Sequence, residues 1–207
     1  MTRMGVCVAT KTECSVTIQN DSQIRDLIQR GMMEYAETSG KVRHDGVHPV
    51  ISYGISSYGY DIRLGRDVKV FVPMPGRIIN PKRFDPFVLV EPIIQHDADG
   101  EWFELPPHSF MLGVTVEYIR VPQNVLCICL GKSTYARCGL ILNTTPFEPG
   151  WEGHVTLELS NTTPLPAKIF INEGIGQVIF LQGDPPEQGY GQGKYQHQGA
   201  QITLPKV

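Results

Sequence analysis

His154-Val-Thr-Leu-Glu-Leu-Ser160 decides how this chain folds. Val155, Leu157 and Leu159 alternate with His154, Thr156, Glu158 and Ser160, the two-residue period of a strand that lays one face on a core. The same period recurs upstream. Val114, Val116 and Tyr118 alternate, as do Leu126, Ile128 and Leu130. Earlier still, Ile62 and Leu64 flank Arg63, and Val68, Val70 and Val72 alternate with Lys69 and Phe71. Turn-rich segments separate these runs, at Thr144 to Gly150, Thr162 to Pro166 and Gly183 to Gly189. Prolines at positions 73, 75, 81, 86, 92, 106 and 107 cut the middle into pieces that suit edge strands and loops. The pattern predicts a mainly β fold, an antiparallel sandwich or barrel.

Composition points the same way. A chain of 207 residues has the size of one domain. Its 21 glycines and 16 prolines are well above the usual share, which excludes a helical bundle or coiled coil. A net charge of −3 argues against a protein that coats nucleic acid. With no run of 18 apolar residues, no membrane span is expected. Met1 to Ser15 carries Arg3 and Lys11 but no apolar centre, so it does not read as a secretory leader. The five cysteines (Cys7, Cys14, Cys127, Cys129 and Cys138) have no framework spacing, which predicts a reducing, cytoplasmic compartment. Cys127 and Cys129 share one strand face and read as buried free thiols.

Ile24, Leu27 and Ile28 form a short helical stripe that Asp21 or Ser22 can cap and Gly31 can end. Residues 32–50 read as polar and irregular. The expected organisation is a helix and irregular segment over 1–49, a β domain over 50–188 and a tail over 189–207, within one domain. The tail is rich in Gly and Gln and reads as loose, but two tyrosines and a lysine among the glycines also suit a flap that closes over a ligand.

Two features carry chemistry. Glu158, with hydroxyls two residues away on either side and an apolar reverse face, reads either as a general base in a pocket or as part of a solvated face. Gly131-Lys-Ser-Thr-Tyr-Ala-Arg137 offers a lysine, two hydroxyls and an arginine within six residues, a set able to hold phosphate oxygens. It is no Walker loop, because position 126 is Leu and not Gly. No histidine has Glu two residues later and no C-x-x-C occurs, so the zinc-deaminase pattern is missing.

Five ordered stretches resemble the dCTP deaminase family, a branch of the trimeric dUTPase-like fold. They are residues 51–63 (Ile-Ser-Tyr-Gly-Ile-Ser-Ser-Tyr-Gly-Tyr-Asp-Ile-Arg), 131–139, 148–163, 172–177 and 193–198 (Gly-Lys-Tyr-Gln-His-Gln). The resemblance implies a homotrimer that converts dCTP to dUTP and ammonia without catalytic zinc, supplying dUMP and thymidylate synthesis. Magnesium would enter on the triphosphate, with no protein metal site. Glu158 matches the family's catalytic carboxylate, and Ser133 and Arg137 match the serine and arginine that complete the site. Lys132, Ser133, Thr134, Tyr135, Ala136 and Arg137 fall on nucleotide-binding positions. So do Thr156, Leu157, Glu158, Gln177, Tyr190 and Gln198, and Lys194 lies in the segment that covers the triphosphate.

Departures are local. Only Gly-Gln-Gly separates Tyr190 from Lys194, where the family often has a longer segment. Residues 144–150 occupy the loop that, in the family, switches between active and dTTP-inhibited forms, and inhibition by dTTP stays open. A dUTPase is the first rival, but Gly139-Leu-Ile-Leu142 has Leu where that family's Asp would fall, and the phenylalanine-bearing C-terminal arm is missing. A bifunctional enzyme releasing dUMP and pyrophosphate, or a non-catalytic nucleotide-binding regulator, are the remaining alternatives.

Overall fold

The computed structural model describes residues 16–207, so Cys7, Cys14 and the leader reading of Met1 to Ser15 lie outside the described residues. Eleven strands form one antiparallel sheet whose main path runs Thr17–Ile18, Gly174–Gln182, Gly59–Phe71, Phe110–Arg120, Glu152–Asn161, Leu140–Asn143. Val125–Gly131 pairs with the far side of Gly174–Gln182. Gly59–Phe71 bends the sheet around its core. Tyr60 to Arg63 pair with Gly174–Gln182, and from Leu64 on the strand pairs with Phe110–Arg120, with a register shift between Leu64 and Val68. Such irregularities increase twist and let a sheet curl. A second sheet of three short strands, Ala167–Phe170, Gly100–Leu105 and Gln95–Asp97, adds Phe103, Leu105 and Ile169 to the core.

The antiparallel, mainly β architecture agrees with the alternation. Ile62, Leu64, Val68 and Val70 are buried, as are Val155, Leu157 and Leu159. Cys127 and Cys129 are buried and free, and burial pushes the Cys129 thiol up to about 12. On their strand, Leu126, Ile128 and Leu130 face outward, and Leu130 and Ile141 are exposed.

Three local readings need correction. The helix, Asp21–Gln29, is capped by Asn20 and not by Asp21 or Ser22; its side chain accepts the Gln23 N–H while the Gln23 side chain accepts the Asn20 N–H. Residues 32–50 are not irregular throughout, because Met33–Glu34 pairs with Phe110–Arg120 and Lys41–His44 pairs with Pro49–Ser56. In Phe110–Arg120, Val114 is buried but Val116 and Tyr118 are not; beyond Thr115 the buried residues become Glu117 and Ile119. A bulge causes this exchange. Opposite the step from His154 to Thr156 the partner advances from Tyr118 to Val114, and the Thr115 hydroxyl accepts the Val155 N–H while donating to the Glu117 carbonyl. The Glu117 carboxylate is thereby turned inward, where Arg63 donates to it from Nε at 2.8 Å and from its backbone N–H at 2.9 Å. Among the described residues, no helix is long and apolar enough to cross a membrane.

Candidate active site

Because Val155, Leu157 and Leu159 point into the core, Thr156, Glu158 and Ser160 point the other way. Leu157, fully buried, supplies backbone and core packing. That opposite face is not open to water around Glu158. A cavity of about 430 Å³ lies over it, with Thr156 and Glu158 on its floor. Glu158 Oε2 is buried and has no hydrogen-bond partner. Burial raises its carboxyl from the ordinary 4.5 to about 7, partly offset by a bond from its own backbone N–H.

The tail builds the roof. The His154 N–H donates to the Gln198 carbonyl, and the Thr156 hydroxyl donates to Gln198 Oε1 at 2.8 Å. Gln196 accepts the Glu152 N–H and donates to the Gly150 carbonyl, while the Trp151 indole N–H donates to the Tyr195 carbonyl at 2.8 Å. These bonds, with one from the Tyr195 N–H to the Tyr190 hydroxyl, hold Tyr190, Tyr195 and Gln198 in the cavity lining, together with Phe84, Phe110 and Trp151. A cavity walled by aromatic rings, with hydroxyls and a carboxyl among them, suits a flat polar heterocycle.

The lysine-to-arginine run sits elsewhere. Ser133–Ala136 is a single helical turn after the Val125–Gly131 strand. Lys132 is turned inward, its ammonium 2.5 Å from Asp61, whose carboxylate also meets Lys41 at 2.7 Å. Burial lowers the Lys132 pKa, and Asp61 opposes that shift. Tyr135 is buried, and its hydroxyl accepts the Phe170 N–H at 2.9 Å. Ser133, Thr134, Ala136 and Arg137 are exposed, with Thr134 beside a separate shallow cavity that includes Glu173 and Phe170. Gln177, in register with Leu130 and Asp61, donates to the Ser56 hydroxyl at 2.9 Å. Lys194 donates to the Lys206 carbonyl at 2.7 Å and lies over the Tyr195 ring.

One chain therefore brings together Thr156, Glu158, Tyr190 and Gln198, and holds Ser133, Arg137 and Gln177 outside that cavity. Residue-by-residue reading passed over Thr144, Glu148, Trp151 and Tyr195, which also line it. Glu148, Trp151 and Tyr195 lie inside the matched stretches 148–163 and 193–198, whereas Thr144 opens a turn with no signal beyond its hydroxyl. Asp61 carried a signal of its own, a lone carboxylate between Tyr60 and Ile62 in a strand.

The family model for dCTP deaminase-like proteins matches residues 18–183. A dCTP deaminase of Herpetosiphon aurantiacus is 51% identical over 195 residues, covering 93% of this chain and 100% of that protein. One from Nitrosomonas eutropha is 52% identical over 196 residues, with the same coverage. A crystal structure of 2'-deoxycytidine 5'-triphosphate deaminase from Agrobacterium tumefaciens shares the fold, with TM-score 0.54 and 17% identity over 81% of this chain and 48% of that one. With a family model that takes in the curled sheet almost end to end, and relatives sharing half their positions along their full length, the chain belongs to the dCTP deaminase-like family.

Proposed function

We propose that this protein hydrolyses dCTP to dUTP and ammonia, with Glu158 as the proton-transfer group. The observation that carries the reading is the buried, partnerless Glu158 oxygen on the floor of an aromatic-sided cavity. A carboxyl titrating at about 7 can accept a proton in one step and return it in the next at neutral pH. Water loses a proton to Glu158 as its oxygen bonds to C4 of cytosine and the C4–N3 π electron pair moves to N3, and Glu158 hands that proton to N3. Glu158 then takes the remaining proton of the new C4 hydroxyl and passes it to the exocyclic amine, so that the C4–N4 bond breaks and ammonia leaves a C4 carbonyl. The relatives named dCTP deaminase, aligned along 93% of the chain, support cytosine as the base.

The reading needs a second copy of the chain. Ser133 and Arg137 are exposed, and the neighbouring Leu130 and Ile141 present bare apolar side chains at 53% and 56% exposure. Packing that edge against another copy would bury the apolar pair and bring a serine and an arginine to a neighbour's Glu158 cavity, in a homotrimer. The triphosphate's negative charge calls for cations, for which Arg137 and Lys194 are the chain's candidates. Magnesium belongs to the substrate in this reading. Among the described residues, no three His, Cys, Asp or Glu side chains converge to hold an ion. A soluble nucleotide substrate suits a cytoplasmic enzyme.

Glu158→Gln tests the assignment. It keeps the shape and one acceptor oxygen but cannot take a proton, so ammonia release should fall at least about a thousandfold while dCTP binding stays within about tenfold. Near-wild-type deamination by the variant would overturn the role given to Glu158.

A further inference from the structure

Among the described residues, two buried side-chain polar atoms have no hydrogen-bond partner, Glu158 Oε2 and Thr144 Oγ1. Both residues line the same cavity. The register brings their segments together, with Asn143 directly across the strand pair from Glu158 and Thr144 next in the chain, and both side chains lie close enough to the Cys129 thiol to shift its titration. The other hydroxyl on the floor is already engaged: Thr156 donates to Gln198 and accepts the Thr203 N–H. Buried polar atoms without protein partners are rare, and a roomy polar site with converging partners is where ordered water sits.

We propose that Thr144 Oγ1 and Glu158 Oε2 hold one water between them, and that this is the water that attacks C4. The inference rests on the deaminase reading and adds a residue to it. The water donates one hydrogen to each oxygen, which leaves a lone pair directed into the cavity. As the new O–C4 bond forms, the hydrogen shared with Glu158 transfers to that carboxylate, and the one shared with Thr144 stays on the attacking oxygen. Thr144's own O–H hydrogen can turn toward the Cys129 sulfur beside it, a thiol that burial keeps protonated. Thr144 therefore aims the nucleophile without taking a proton from it.

The experiment pairs Thr144→Val, which keeps the shape and removes the hydroxyl, with Thr144→Ser, which keeps the hydroxyl. The expected result for Thr144→Val is a kcat for ammonia release lowered about 10–100-fold, with KM for dCTP within about threefold. Its Tm should stay close to that of the wild type, since the methyl replaces a buried hydroxyl whose protein neighbour is only the weakly accepting Cys129 sulfur. Thr144→Ser should stay within about threefold of wild-type kcat. Should Thr144→Val not fold, Thr144→Ala takes its place with the same expectation for kcat and KM. A hydroxyl-free variant at near-wild-type kcat, or a serine variant as slow as the valine one, would overturn the proposal. A high-resolution crystal structure without nucleotide supplies a readout independent of turnover. It should show a water bridging the two oxygens, lost in the valine variant. If wild-type protein releases no ammonia from dCTP, the deaminase reading fails, while the presence or absence of that bridging water still decides whether the two atoms share one.

Discussion

Glu158→Gln should make the protein more stable at alkaline pH while abolishing its chemistry. In the folded chain the carboxyl titrates at about 7 instead of 4.5, because burial disfavours its charged form. Between those values the folded state binds the proton and the unfolded state does not, so wild-type stability falls as pH rises through this window. Above about pH 7 the folded protein carries the whole cost of a buried, partnerless anion. A displacement of this size corresponds to about 3 kcal/mol for a dry site, and partial solvation through the cavity reduces it to roughly 1–2 kcal/mol. Glutamine carries no charge, so the variant escapes the cost. At pH 8.5 and matched protein concentration its Tm should exceed that of wild type by about 2–8 °C. The gap should shrink steadily between pH 7 and 4.5 and be nearly gone below that, where wild type is protonated in both states. Calorimetry of the two proteins across this range measures it, each carrying Arg137→Ala so that no neighbour's guanidinium can pair with Glu158. A variant no more stable than wild type at pH 8.5 would refute the argument, because Glu158 would then be solvated or already paired with a cation.

Arg137→Ala should raise KM for dCTP as well as lower kcat, since it removes a charge and a positioning group together; steady-state kinetics separate the two. If neighbours share sites, co-refolding Glu158→Gln with Arg137→Ala should restore activity at about a quarter of the sites, whereas self-contained sites would stay dead in every mixture. Ammonia release should need magnesium yet survive a zinc-selective chelator that leaves magnesium free. Loss under the chelator and recovery with added zinc would show that a metal activates the water. Ammonia should appear without pyrophosphate, and equimolar pyrophosphate would mark the bifunctional alternative.

How far the sequence could be read depended on whether each signal was local. Val155, Leu157 and Leu159 announce their strand because the pleat itself imposes the period, and the face bearing Glu158 follows from it. The same rule failed in Phe110–Arg120. There the bulge consumes four residues against two, and the partner that makes burial of Glu117 tolerable is Arg63, far away along the chain. No window around Glu117 contains that arginine. Whether the Glu158 face was wet or dry was equally non-local, because its cover is the tail. Gln196, Gln198 and the Tyr195 carbonyl bind the Gly150 to Thr156 segment through individual hydrogen bonds that impose no periodicity. A Gly- and Gln-rich stretch thus reads as loose even where it is tied down. Leu126, Ile128 and Leu130 raise the opposite problem, an alternation whose apolar side faces away from the core that Cys127 and Cys129 help fill. Such a face stays in water at a solvation cost unless something covers it. Ser133 and Arg137 follow directly after that face, so the surface left bare in one chain adjoins the serine and arginine proposed to complete a neighbour's Glu158 cavity.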